Sequence, residues 1–82
     1  MAIQWSAHAD TVISERGLDR RWVERTVRKP DRVLDGDDGT RHCLARIPEQ
    51  EGRVLHVVLN PDTSPPTVIT AFLDRRMRGR LP

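Results

Sequence analysis

The sequence predicts an α+β domain in which two N-terminal helices pack on a four-stranded antiparallel sheet. Three observations carry this. Apolar residues recur at helical spacing as far as Pro30 and alternate in the manner of strands after it. The alternating runs are joined mostly by short turns rich in Asp, Gly and Pro, which suit antiparallel neighbours. Helical and strand-like segments are segregated along the chain.

The elements follow in order. AIQW, residues 2–5, can begin with a short strand. Ser6 is a good N-cap, and Asp10 then sits early in the first helix, where a carboxylate suits the helix dipole. Ala9, Val12, Ile13 and Arg16 recur at helical spacing. Gly17 fits a left-handed cap, with Leu18 as the hydrophobic contact behind it. Asp19 caps a second helix over residues 20–28, with Trp22, Val23, Thr26 and Val27 as its apolar stripe and Pro30 as its stop. A short strand, an Asp/Gly turn and a longer strand over 40–47 come next. PEQEG turns the chain, RVLHVVL is a strand, NPDTSPP is a rigid loop, and TVITAFL is the last strand.

Alternation divides the strand side chains between two faces. Cys43, Ala45 and Ile47, then Leu55, Val57 and Leu59, then Ile69, Ala71 and Leu73 suit burial under the helices. The opposite face receives His42, Leu44 and Arg46, then Val54, His56 and Val58, then Val68, Thr70 and Phe72. A single bulge would invert one of these sets.

Eighty-two residues make one domain, residues 1–82, near the small end of what folds alone. Trp5, Trp22 and Phe72 are the only aromatic residues besides histidine, so aliphatic side chains must build a thin core. No apolar run approaches the roughly 20 residues of a membrane span, and the N-terminus lacks the basic and apolar regions of a secretory signal. A cytoplasmic location is the resulting expectation. Cys43 is alone, which excludes an internal disulfide and a cysteine-rich zinc site.

The net charge is only +2, but its distribution is informative. All but one of the fourteen basic residues are Arg, and two patches stand out: RRWVERTVRK (20–29) and a C-terminal tail from about residue 75, RRMRGR (75–80). Arg20, Arg25, Arg28, Arg75 and Arg76 are therefore candidate contacts to a polyanion such as RNA or to an acidic partner protein. Solvated helix surface is the plainer reading of the same charges.

Other signals exclude. DGDDG lacks the carboxylate offsets of a calcium loop, and His8, His42 and His56 lack zinc-ligand spacing, so no metal is expected. The nucleophile elbow, the phosphate-cradling P-loop and the dinucleotide fingerprint are absent, and no cofactor is expected. A helix-turn-helix reading of residues 6–29 has the right glycine, but strands follow where a third helix would complete a core.

His8-Ala9, Glu15-Arg16-Gly17-Leu18, RKPDRV, DGTRH, VLHVVL and VITAFLDRR, in that order and spacing, resemble a small bacterial family catalogued as domain of unknown function number 4258. The resemblance runs from about His8 to Arg76. That family is similar in turn to the RelE-like toxins, whose fold is two helices on a four-stranded antiparallel sheet. Many of those are metal-independent ribonucleases of toxin–antitoxin systems. The resemblance implies a small cytosolic protein with RNA and an antitoxin-like protein as partners. It also implies site residues His8, Arg16, Arg41, His42 and Thr70, with Arg75 just beyond the last strand.

Metal-free RNA cleavage needs a base for the 2′-hydroxyl proton, a cation for the crowded phosphate and an acid for the departing 5′-oxygen. Histidine suits both proton roles and arginine suits the phosphate. His8, in the first turn where the dipole disfavours imidazolium, is expected to face the open side of the sheet as a base. His42 or His56 would supply the second proton group. The alternative is a non-catalytic protein- or nucleic-acid-binding module, favoured by the missing tyrosine, which several RelE-like enzymes use, and by the modest net charge.

Overall fold

Local chemistry sets the two helices. In the computed structural model, which describes residues 2–77, α1 spans Ala7–Arg16 and α2 spans Arg20–Arg28. The Ser6 hydroxyl accepts the Ala9 N–H, and the Asp19 carboxylate accepts the Arg21 N–H, so each helix begins on a capping side chain. Gly17 closes α1 at φ +64°, in the left-handed region glycine enters without penalty. A short turn joins the helices, and both pack on one side of the sheet, α1 against the last strand and α2 against the middle strands.

The sheet has five strands: β1 (Gln4–Trp5), β2 (Arg32–Asp35), β3 (Arg41–Ile47), β4 (Arg53–Asn60) and β5 (Thr67–Leu73). Their order is β1-β5-β4-β3-β2. The run from β2 to β5 is antiparallel, as expected. The sheet is nevertheless mixed, because β1 pairs parallel with β5, placing Gln4 opposite Thr67 and Trp5 opposite Val68. This corrects the four-stranded expectation. The cause is edge satisfaction: the Gln4 N–H donates to the Pro66 carbonyl and the Ser6 N–H to the Val68 carbonyl. A two-residue strand is too short to show alternation.

The core lies between the helices and one face of the sheet. Ala9, Ile13, Leu18 and Val23 pack there with Cys43, Ile47, Leu55, Val57 and Leu59, flanked by Trp5, Trp22 and Val27. On β5 the expected alternation fails at one point. Val58 lies opposite Thr70 but Leu59 lies opposite Val68, so Ile69 is an extra, bulged residue. Val68 therefore turns into the core, where Ile69 was expected, and Ile69 is only half-buried. Thr70 and Phe72 keep their expected side.

The other face is less open than expected. Leu44 and Val54 touch each other there and are fully buried. The chain beyond β5 turns back: the Asp74 N–H donates to the Val54 carbonyl, and a 3-10 turn, Arg75–Met77, packs against β4. Arg78 and Arg80 of the expected basic tail lie outside the described residues.

Candidate functional site

A diagonal line of hydrogen bonds crosses the face of the sheet away from the helices. It starts at His42 on β3. Val58 lies directly opposite on β4, and His56 is two residues further along that strand. Phe72 lies opposite His56 on β5, and Asp74 is two residues further again. Each step moves one strand across and two residues along, so side chains of alternate residues meet on one face. His42 Nδ1 is 2.6 Å from His56 Nε2, and His56 Nδ1 is 3.1 Å from Asp74 Oδ2.

Both ends of the line are anchored. At the outer end, Thr40 Oγ1 is 3.2 Å from His42 Nε2 and donates to Asp38 Oδ1 at 2.6 Å. At the inner end, Asp74 Oδ1 accepts the Arg76 N–H at 3.0 Å, with Arg76 Nε at 3.5 Å. Phe72 stacks on His56 with ring centroids 4.7 Å apart, and the His42 ring meets His56 edge-on at 4.9 Å. The His56 side chain is 13% exposed and that of Asp74 only 5%.

Proton positions follow from the partners. A carboxylate only accepts, so His56 Nδ1 carries a hydrogen toward Asp74 and Nε2 presents its lone pair. His42 Nδ1 must then be the donor between the rings. The remaining nitrogen, His42 Nε2, lies at the outer end of the line. Thr40 gives its hydroxyl hydrogen to Asp38, so its oxygen can accept a hydrogen from His42 Nε2. One added proton at that nitrogen satisfies every contact and makes the imidazole pair a monocation between two carboxylates. The hydrogen bonds thus place His42 Nε2 at the outer end of the line, with Asp74 fixing the tautomers behind it.

The carboxylates fit this. For Asp74 burial is the largest single influence and pushes the carboxyl up. The bond from His56, the Arg76 N–H and the charges of Arg76 and His56 together outweigh it, holding Asp74 below the usual carboxylate range. Asp38 is also lowered, first by the Thr40 hydroxyl and then by the Thr40 backbone N–H.

The other expected site residues divide between the faces. Thr70 shares the face of His42, two strands away with Val58 between them. Arg41 alternates with His42, falls on the helix side and pairs with Asp35 at 2.9 Å. Arg16 reaches the edge of β5 and donates to the Ala71 carbonyl at 2.6 Å, filling a position β1 is too short to cover. His8 is exposed on α1, next to the buried Ala9, and so sits across the sheet from His42 and His56. The expectation that it faces the open side is not met, because α1 packs on the opposite face.

Of the α2 arginines, Arg20 pairs with Asp10 and lies over the Trp5 ring, and Arg25 grips Glu49 with two nitrogens. Arg28 is exposed and makes no ion pair with a described residue. Arg75 is exposed, and Arg76 serves Asp74. The sequence reading missed Asp74 and Thr40 altogether and left His56 as an alternative to His42. The available signal was the repeated offset of two once strand register is known.

The family model for a domain of unknown function, DUF4258, matches residues 5–73. The chain belongs to that family. The matched span of this DUF4258 chain holds both histidines of the line and stops one residue short of Asp74. No curated protein and no solved structure matches it. Among the described residues of this DUF4258 chain, no helix is long and apolar enough to cross a membrane.

Proposed function

We propose that this DUF4258 chain is a metal-independent ribonuclease of the RelE-like kind, acting as the toxin of a toxin–antitoxin pair. The observation that carries the reading is the continuous line Asp74–His56–His42 on the face of the sheet away from the helices. Two helices on a largely antiparallel sheet is also the layout that RelE-like toxins share. In the proposed reaction His42 Nε2 takes the proton of an RNA 2′-hydroxyl. The 2′-oxygen bonds to phosphorus and the bond to the 5′-oxygen breaks. The proton held at His42 passes to that 5′-oxygen, leaving a 2′,3′-cyclic phosphate and a 5′-hydroxyl. His56 and Asp74 act as positioning residues that set the His42 tautomer.

The test is incubation of purified protein with RNA in a chelator. Wild type should yield fragments with cyclic-phosphate and 5′-hydroxyl ends. His42→Gln should lose about 100-fold or more in rate. His56→Gln should lose less and shift the pH profile. Intact RNA under wild type, or full activity in His42→Gln, rejects the reading. Growth arrest on expression, relieved by a co-expressed neighbouring gene product, tests the toxin–antitoxin part.

A second reading, a non-catalytic protein-binding module, is favoured by one observation. Val33 and Leu34 are 45% and 40% exposed on β2, the edge strand of the sheet. An exposed apolar edge strand is a template for strand addition by a partner.

A further inference from the structure

We infer that the end of the sheet where β4 begins and β5 finishes is a phosphate-binding subsite for single-stranded nucleic acid, built around Arg53 and Arg75. The choice of ligand rests on the ribonuclease reading; the site itself is read from the cleft. A cleft of about 470 Å³ there is lined by Arg16, Leu18, Arg53, Phe72, Leu73 and Arg75. An adjoining cavity of about 330 Å³ shares Arg53, Leu73 and Arg75 and adds Asp74.

The charges of this cleft differ from most of those of α2, where Arg28 is the one arginine without an ion pair to a described residue. Arg20, Arg21 and Arg25 are each neutralised by a carboxylate. Arg53 and Arg75 make no ion pair with a described residue. Arg16 is committed to the Ala71 carbonyl but keeps its charge in the cleft wall. Asp74 is already occupied by His56 and Arg76; on its other side Arg53 borders a hollow with Glu51 and with Glu49, which Arg25 holds. Two guanidinium groups that make no ion pair with a described residue, set beside an apolar wall, offer an anion a place to bind. A planar fork binds two phosphate oxygens at once.

The wall argues for a nucleotide over an acidic protein strand. An added strand needs open edge groups on β5, but Ser6 Oγ donates to the Ile69 carbonyl and Arg16 to that of Ala71. Phe72, whose ring stacks on His56, and Leu73 offer apolar surface to a base, which every nucleobase can use without sequence preference. Because Phe72 and Asp74 both touch His56, a strand seated in the cleft lies alongside the imidazole line. Arg53 had no signal in the sequence: it is a lone arginine at a strand start, outside both basic runs.

The experiment measures binding of a fluorescein-labelled oligo(dT) of about 12 nucleotides by polarisation across a salt series. Lacking a 2′-hydroxyl, this probe cannot be cut by the proposed route, so binding is read apart from catalysis. Arg53→Gln and Arg75→Gln should each weaken binding about ten-fold. Each should also reduce the slope of log K against log salt by about 0.7. Arg53→Lys should keep most of the slope, and melting curves confirm that the variants fold. The inference is overturned if the double variant binds like wild type, if Arg28→Gln removes binding instead, or if poly-glutamate binds where oligo(dT) does not. RNA cleavage that persists with an unchanged KM in the double variant overturns it while leaving the ribonuclease reading intact. Arginine-dependent binding without RNA cleavage supports it and rejects that reading instead.

Discussion

Leu55 and His56 are adjacent on β4 and serve opposite faces of the sheet. Leu55 is fully buried among Ala9, Ile13, Val23 and Val57, where nothing polar is asked of it. His56 is held by His42, Phe72 and Asp74, with both ring nitrogens occupied. One face holds the fold together through apolar burial. The other spends buried area on groups that must be hydrogen-bonded to be tolerated there at all. In an 82-residue chain with a thin core, this line places titratable groups at low exposure and binds each of them to a partner.

The largest expected effect sharpens that contrast. Leu55→Ala should lower unfolding stability by about 2–5 kcal/mol, since it leaves a cavity in the centre of the helix-covered face. His56→Gln should cost only about 1–2 kcal/mol, because an amide can keep one of the two hydrogen bonds. Urea unfolding monitored by the two tryptophans measures both. Equal losses would erase the division of labour between the faces.

The second effect is a pH dependence. The folded carboxyl of Asp74 lies below its unfolded value, so its contribution is complete above the ordinary aspartate pKa of about 4. Stability should fall as pH drops from there through the folded value, where the carboxylate takes up a proton. Asp74→Asn should be less stable than wild type at neutral pH and should show a shallower decline below pH 4. Asp19, Asp38 and Glu49 are also lowered, so some decline remains. Parallel acid limbs for the two proteins would mean that Asp74 is not linked to folding.

How far the sequence reading reached depends on the range of each cause. Ser6, Gly17 and Asp19 act on residues two or three positions away, so both helices could be placed from their neighbours alone. The faces of β3 and β4 follow from alternation. β1 is made by hydrogen bonds to a strand more than sixty residues later, and two residues carry no period. The Ile69 bulge reflects a register set by the partner strand and has no local mark. The site divides in the same way. His42 and His56 could be placed on one face, but their contact, and that of His56 with Asp74, needed the register. His8 rests on its first-turn position as well as on the resemblance, and Arg16 on the resemblance; the helix that carries both packs against the opposite face.

The smallest expected change in stability makes the sharpest test of the line itself. Gly36 sits in the β2–β3 turn, and its N–H donates to the Thr40 carbonyl. A Cβ placed on Gly36 would lie 2.8 Å from Thr40 Oγ1 and 2.9 Å from Asp38 Oδ1. Thr40 is half-buried, but both atoms belong to side chains of the turn, so χ1 rotation can move them without moving the sheet. Gly36→Ala should therefore change stability by about 1 kcal/mol or less. It should nevertheless push Thr40 and Asp38 out of position and remove the outer anchor of His42 Nε2. The readout is the nitrogen chemical shift of the imidazoles in labelled protein. His42 Nε2 should move, whereas His56 Nδ1, held by Asp74 at the far end, should not. Shifts at both rings would mean that the two imidazoles respond as one coupled pair. Shifts at neither would mean that Thr40 and Asp38 do not anchor the line.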